Sequence, residues 1–98
     1  MICHLVLYRL KPGTSSDDEH KLIAQAQREI AKLPGVKNLK VGRNIQSSGD
    51  SYAVGLSMDF ESAEALETYR VHPDHQAFVK SVVEPVVNEI WRFDFTYE

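Results

Sequence analysis

"ICHLVLYRL", residues 2–10, is the stretch on which the fold turns. Its side chains alternate as in a strand: Ile2, His4, Val6, Tyr8 and Leu10 point one way, and Cys3, Leu5, Leu7 and Arg9 the other. Both sets are largely apolar. A strand of this kind needs cover on each face, because an uncovered apolar face is an association site.

Working outward, "KPGTSSDDE" (11–19) supplies a turn, and Ser16 with Glu19 has the spacing of a capping box. A first helix follows, with Leu22, Ile23, Ala26, Ile30 and Leu33 on one face, and stops at Pro34-Gly35. Asp17, Asp18 and Glu19 suit the positive end of its dipole and read as a solvated first turn. Residues 36–46 and 51–60 read as two strands joined by "SSGD" (47–50) as a hairpin loop. Ser62 caps a short helix running through Arg70, and Pro73 opens a second helical piece. That piece buries Phe78, Val79, Val82, Val83 and Val86, and Pro85 kinks or ends it. A last strand, "IWRFDFTY" (90–97), sets Trp91, Phe93, Phe95 and Tyr97 against Ile90, Arg92, Asp94 and Thr96.

The order strand, helix, strand, strand, helix, strand predicts an α+β domain of ferredoxin-like βαββαβ topology, an antiparallel sheet with both helices on one face. The helices cover one face of residues 2–10. The opposite face, with Leu5 and Leu7, is then a patch that a second copy would bury about a two-fold axis. A homodimer through the sheet face opposite the helices is expected.

The totals fit that picture. Ninety-eight residues (1–98) suit a single domain, and 43% apolar with 26% charged residues is an ordinary globular composition. A net charge of −3 with no basic run recommends neither nucleic acid nor a membrane surface as partner. The single cysteine, Cys3, has no partner for an internal disulfide, and the apolar start is too short to span a bilayer, so a cytoplasmic protein is expected. Lys37, Lys40 and Arg43 ladder along the second strand, where they discourage edge-to-edge pairing.

"CHLVLYRLK", "LPGVKNLKVGRN", "DFESAEALETYRVHPDHQAFV" and the closing "RFDF" resemble the stress-responsive A/B barrel (Dabb) family over nearly the whole chain. The most specific part is Tyr69 followed by His72-Pro73-x-His75 and Phe78. The resemblance implies a dimeric α+β barrel. Family members include stress-associated plant proteins, bacterial proteins of unassigned role and plant polyketide cyclases of the olivetolic-acid type. In those cyclases the matching tyrosine and second histidine are the catalytic pair, which implies Tyr69 and His75 here. His4 matches the histidine of the family's first strand, and His72 the first histidine of the motif. The chain also departs from the cyclases. Leu22, Ile23 and Ala26 stand where their first helix brings aromatics, Val54 stands where a strand carries a histidine, and Val86 where a tryptophan stands.

The chemistry of "YRVHPDH" (69–75) supports two readings. In one, His75 is a general base and Tyr69 a hydrogen-bond donor to a substrate carbonyl. A proton is then removed next to that carbonyl in lyase or cyclase-type chemistry that needs no cofactor. The pocket would be lined by His4, His72, Val6, Tyr8, Val54 and Phe78, and its ligand would be a small apolar or carbonyl-bearing molecule. In the other, the segment is a helix junction: His72 stays extended before Pro73, and His75 and Tyr69 are packed and satisfied. The protein is then a non-catalytic, stress-associated or ligand-binding dimer. Cys3 and His4 point to opposite faces of a strand and cannot form a nucleophile pair. A metal site would use His72 and His75 with His4 or Asp74, but a tetrahedral metal needs three or four converging ligands and the His-x-x-His spacing alone supplies two at most, so no metal is expected. His20 reads as solvated.

Overall fold

The computed structural model describes residues 1–46 and 51–98. Its elements are β1 (Ile2–Leu10), α1 (Ser16–Ile30), β2 (Lys37–Arg43), β3 (Val54–Phe60), α2 (Ala63–Val71), α3 (Pro73–Phe78) and β4 (Val87–Thr96), with a π-helical turn at Val79–Val83 continuing α3. The four strands form one antiparallel sheet in the order β2-β3-β1-β4. This is the expected ferredoxin-like α+β arrangement. The "SSGD" hairpin loop at 47–50 lies outside the described residues.

Local chemistry explains most boundaries, and in places moves them. Helix α1 is capped by Ser15 rather than Ser16: Ser15 is extended (φ −73°, ψ 160°), so its Oγ accepts from the Asp18 amide at 3.1 Å. Ser16 is already helical. Helix α2 is capped as expected, with the Ser62 hydroxyl accepting from the Ala65 amide at 3.1 Å. Strands β2 and β3 are both shorter than the stretches 36–46 and 51–60 expected for them, β2 ending at Arg43 and β3 beginning at Val54. Strand β4 begins earlier than expected, at Val87, because the turn around Pro85 is tight: the Val86 amide donates back to the Val83 carbonyl at 3.1 Å. Val86 is therefore only half-buried, while Phe78 and Val83 carry the buried stripe.

The core lies between the helices and one face of the sheet. Val6 and Tyr8 of β1 and Val54, Leu56, Met58 and Phe60 of β3 meet Leu22, Ala26 and Ile30 of α1, with Leu66 and Tyr69 of α2 and Phe78 closing the far side. Each fully buried large side chain contributes about 1.5–3 kcal/mol of transfer free energy.

The other face carries an apolar surface along β1 and β4. The β1–β4 register sets Leu7 beside Trp91, Leu5 beside Phe93 and Cys3 beside Phe95. Trp91 and Phe93 stack with centroids 5.6 Å apart, and the run continues to Phe95 at 5.9 Å and Tyr97 at 6.2 Å. Phe93 is 50% exposed. Among the described residues no helix is long and apolar enough to cross a membrane.

Gly35, between α1 and β2, has φ +82°, a left-handed conformation that costs an L-residue roughly 1–2 kcal/mol. An added Cβ would meet the Phe60 ring at an ordinary 3.6 Å, so sterics add little. Gly35→Ala should lower unfolding stability by about 1–2 kcal/mol in urea titrations, with unchanged far-UV circular dichroism. Equal stability would show that the turn relaxes.

Candidate functional site

Pro73 has no amide hydrogen and disfavours helical backbone in the residue before it. His72 accordingly takes φ −61°, ψ 133°, ending α2 and starting α3. Its ring then caps the new helix, Nδ1 accepting from the Asp74 amide at 3.1 Å. The break has a geometric result. In an unbroken helix, positions 69 and 75 would lie about 240° apart around the axis. The extended step instead brings the Tyr69 and His75 rings to a centroid distance of 4.3 Å.

The truncated end of α2 also orients His75. The Arg70 carbonyl belongs to the last helical turn, where backbone acceptors lack intrahelical partners. It accepts from His75 Nδ1 at 3.1 Å. A carbonyl can only accept, so Nδ1 carries the proton and Nε2 keeps its lone pair. That is the tautomer of an available base.

These rings border a cavity of about 540 Å³ between α2, α3, the π-helical turn and the inner face of β1 and β4. Its apolar wall is Val6, Leu56, Val79, Val83 and Ile90. The helical side is contributed in pairs, His75 and Gln76, Val79 and Lys80, Val83 and Glu84, each pair four residues after the last. A repeat of four drifts about 40° per step in a regular α-helix. The π-helical turn, with its wider winding, offsets that drift and keeps the pairs on one wall.

His4 lies deep in this site, 4% exposed. Its Nδ1 is bonded to the Asp94 carboxylate across the β1–β4 pair, which leaves Nε2 on the cavity side. The His4 ring meets Tyr69 edge-on at 6.0 Å and Phe60 at 6.4 Å. Burial pushes the Tyr8 hydroxyl up to about 12, with the nearby Arg92 charge partly opposing it. Burial, with Tyr8 as a second cause, also raises Tyr69 well above the usual phenol range. Both hydroxyls therefore remain protonated donors at neutral pH. Burial lowers the His75 imidazole below its ordinary 6.5; the bond to the Arg70 carbonyl opposes this, and the charges of His4, Arg92 and Arg70 reinforce it. His75 is thus mainly neutral at pH 7, as a base must be.

Of the residues singled out in the sequence, His4, Val6, Tyr8, Tyr69 and His75 come together at the cavity. His72, Val54 and Phe78 do not line it. His72 is engaged in capping α3, Val54 is 1% exposed in the core, and Phe78 is 4% exposed behind the cavity wall. Among the described residues no three His, Cys, Asp or Glu side chains converge as metal ligands would. Sequence reasoning missed Arg92 and Asp94. Both sit on the helix-facing side of β4, and a charged pair on the inner face of a strand whose outer face is aromatic was the available signal.

Two kinds of likeness bear on this site. A family model for the stress responsive A/B barrel domain matches residues 2–97. Among solved structures, a Dabb family protein with a ferredoxin-like fold from Mesorhizobium loti is 31% identical, with a TM-score of 0.85 over 99% of this chain and 96% of that one. A dimeric ferredoxin-like protein of unknown function from Jannaschia is 25% identical, with a TM-score of 0.73 over 98% of each chain. The hydroxynitrile lyase of Passiflora edulis shares the fold at 19% identity, with a TM-score of 0.81 over 99% of this chain and 93% of that one.

The lowered His75 pKa fixes the sign of a pH effect. Above about pH 6.5 the ring is neutral in both folded and unfolded chains and contributes no slope. As pH falls from there toward the lower folded value, the unfolded chain takes the proton first, so folding stability is lost. Wild type minus His75→Gln, measured by urea unfolding across pH 5–8, should lose stability only below about 6.5. A flat difference, or a loss on going above 6.5, would contradict the burial of this ring.

Proposed function

This chain belongs to the stress responsive A/B barrel domain family, and we propose that its Tyr69–His75 cavity carries out cofactor-independent proton transfer on a small carbonyl compound. His75 Nε2 removes a proton from the carbon next to the carbonyl, or, in a cyanohydrin, from the hydroxyl on the carbon that becomes the carbonyl as the C–CN bond breaks and cyanide leaves with the electron pair to take up the proton; Tyr69 donates a hydrogen bond to the substrate oxygen. Carbon–carbon bond cleavage or ring closure then follows without an electron carrier, in the lyase and cyclase class. The observation that carries the reading is the two rings at 4.3 Å with the His75 tautomer held by the Arg70 carbonyl. That a hydroxynitrile lyase shares this fold supports the chemistry's suitability to the scaffold.

A second reading, a ligand-binding or stress-associated dimer without turnover, has one observation in its favour. Tyr69 is 2% exposed and packs against Phe60 at 5.0 Å, so its ring has a core role whatever its hydroxyl does. The two readings part on the hydroxyl and the imidazole. His75→Ala and Tyr69→Phe should both fold, and His75→Ala should lower turnover by about 10²–10⁴-fold. The assay is deuterium exchange at carbons next to the carbonyl in a ketone panel, together with cleavage of cyanohydrins. Exchange equal to wild type in His75→Ala would leave the binding reading standing.

The same proposal includes a homodimer through the outer sheet face, in a reducing, cytoplasmic setting. The ladder Trp91, Phe93, Phe95 with Leu5 and Leu7 is the surface it would bury. The dimeric Jannaschia structure supports the geometry. Wild type should sediment as a dimer at micromolar concentration, and Phe93→Glu, which places a charge at the centre of that face, should sediment as a monomer. A wild-type monomer would refute the dimer.

A further inference from the structure

We infer that the cavity takes a carboxylate-bearing carbonyl compound, with Arg92 and Lys80 receiving the carboxylate while the ketone or aldehyde lies between Tyr69 and His75. The inference rests on the proton-transfer reading for the carbonyl end only; the charge argument stands on other residues.

The chain carries a net charge of −3, yet the cavity wall holds three cations, Arg70, Lys80 and Arg92, against the single carboxylate of Glu84. Asp94, two residues along β4 from Arg92, is already held by His4. Arg70 is answered outside the cavity by Glu67, at 2.9 Å. Arg92 and Lys80 have no ion pair within 4 Å and no hydrogen bond among the described residues, and Glu84 reaches neither. They come from different elements, β4 and the π-helical turn, and meet at the same cavity. Arg92 stands opposite Val6 in the β1–β4 register, one inner-face position from His4 and Asp94. It lines the same cavity as Tyr8 and His75, and its charge acts on both.

Unpaired cations on a partly apolar wall attract an anion more strongly than cations in open water, because the wall lowers the local dielectric. Arginine's planar fork suits a carboxylate in particular. Between that end and the Tyr69–His75 pair, Val6, Leu56, Val79 and Ile90 offer an apolar path for a hydrocarbon or aromatic body.

The probe pair is 4-acetylbenzoate and its neutral counterpart 4-acetylbenzamide, titrated calorimetrically at low salt. The acid should bind about tenfold or more tightly than the amide. That preference should shrink when NaCl is raised to about 0.5 M, and shrink in Arg92→Gln and in Lys80→Gln, each checked for wild-type circular dichroism. His75→Ala should keep the preference. Equal affinity for acid and amide, no saturable binding of either, or a preference untouched in both charge variants would overturn the inference. Deuterium exchange at the acetyl methyl, read by NMR in the same samples, tests the other claim. If the acid is preferred but its methyl does not exchange, the proton-transfer reading fails and carboxylate recognition stands.

Discussion

The ring of Pro73, which pushes His72 out of helical backbone and has no amide hydrogen to continue α2, is the constraint on which the site depends. Without it, α2 would run on, Tyr69 and His75 would face different ways, and the Arg70 carbonyl would bond within the helix. With it, one extended residue aligns the two rings and frees that carbonyl to hold the His75 tautomer. The cost of breaking a helix is offset locally, since the His72 ring caps the new helix. The junction and the site are thus one feature, and a helix-junction reading and a functional reading of this segment do not compete. His72 performs the junction role, and the His75 ring borders the cavity.

A second arrangement, the polarity of β4, organises the rest. Its aromatic side chains face away from the helices, and Arg92 and Asp94 face toward them. In most sheets with one covered face the apolar side would turn inward. Here the inversion gives a single strand two functions. Outside, it builds an apolar ladder suited to a second copy; inside, it gives Arg92 to the cavity and Asp94 to His4.

Much of the fold was legible because it rests on period and punctuation. The alternation of residues 2–10, the apolar stripe of α1 and the left-handed turn at Gly35 each have a local cause, although α1 itself ends at Ile30, short of the expected stop at Pro34-Gly35. Tyr69 and His75 could be named from the motif, but not brought together. Whether they meet depends on the angle between α2 and α3, which spacing does not encode. Val54 and Phe78 were expected at the pocket because they share faces with pocket residues, yet a face is wider than a cavity, and both are spent in the core. Arg92 and Lys80 were hidden for the opposite reason. Exposed charges read as solvated until the fold shows that two distant ones share a wall.

His75 presents an unprotonated Nε2 because the Arg70 carbonyl holds the proton on Nδ1. Long-range ¹H–¹⁵N correlation of the imidazole at neutral pH tests it directly. The account predicts a pyrrole-type Nδ1 and a pyridine-type Nε2 for His75. A pyridine-type Nδ1, or a ring protonated on both nitrogens at pH 7, would contradict it, since His75 would then have no lone pair facing the cavity.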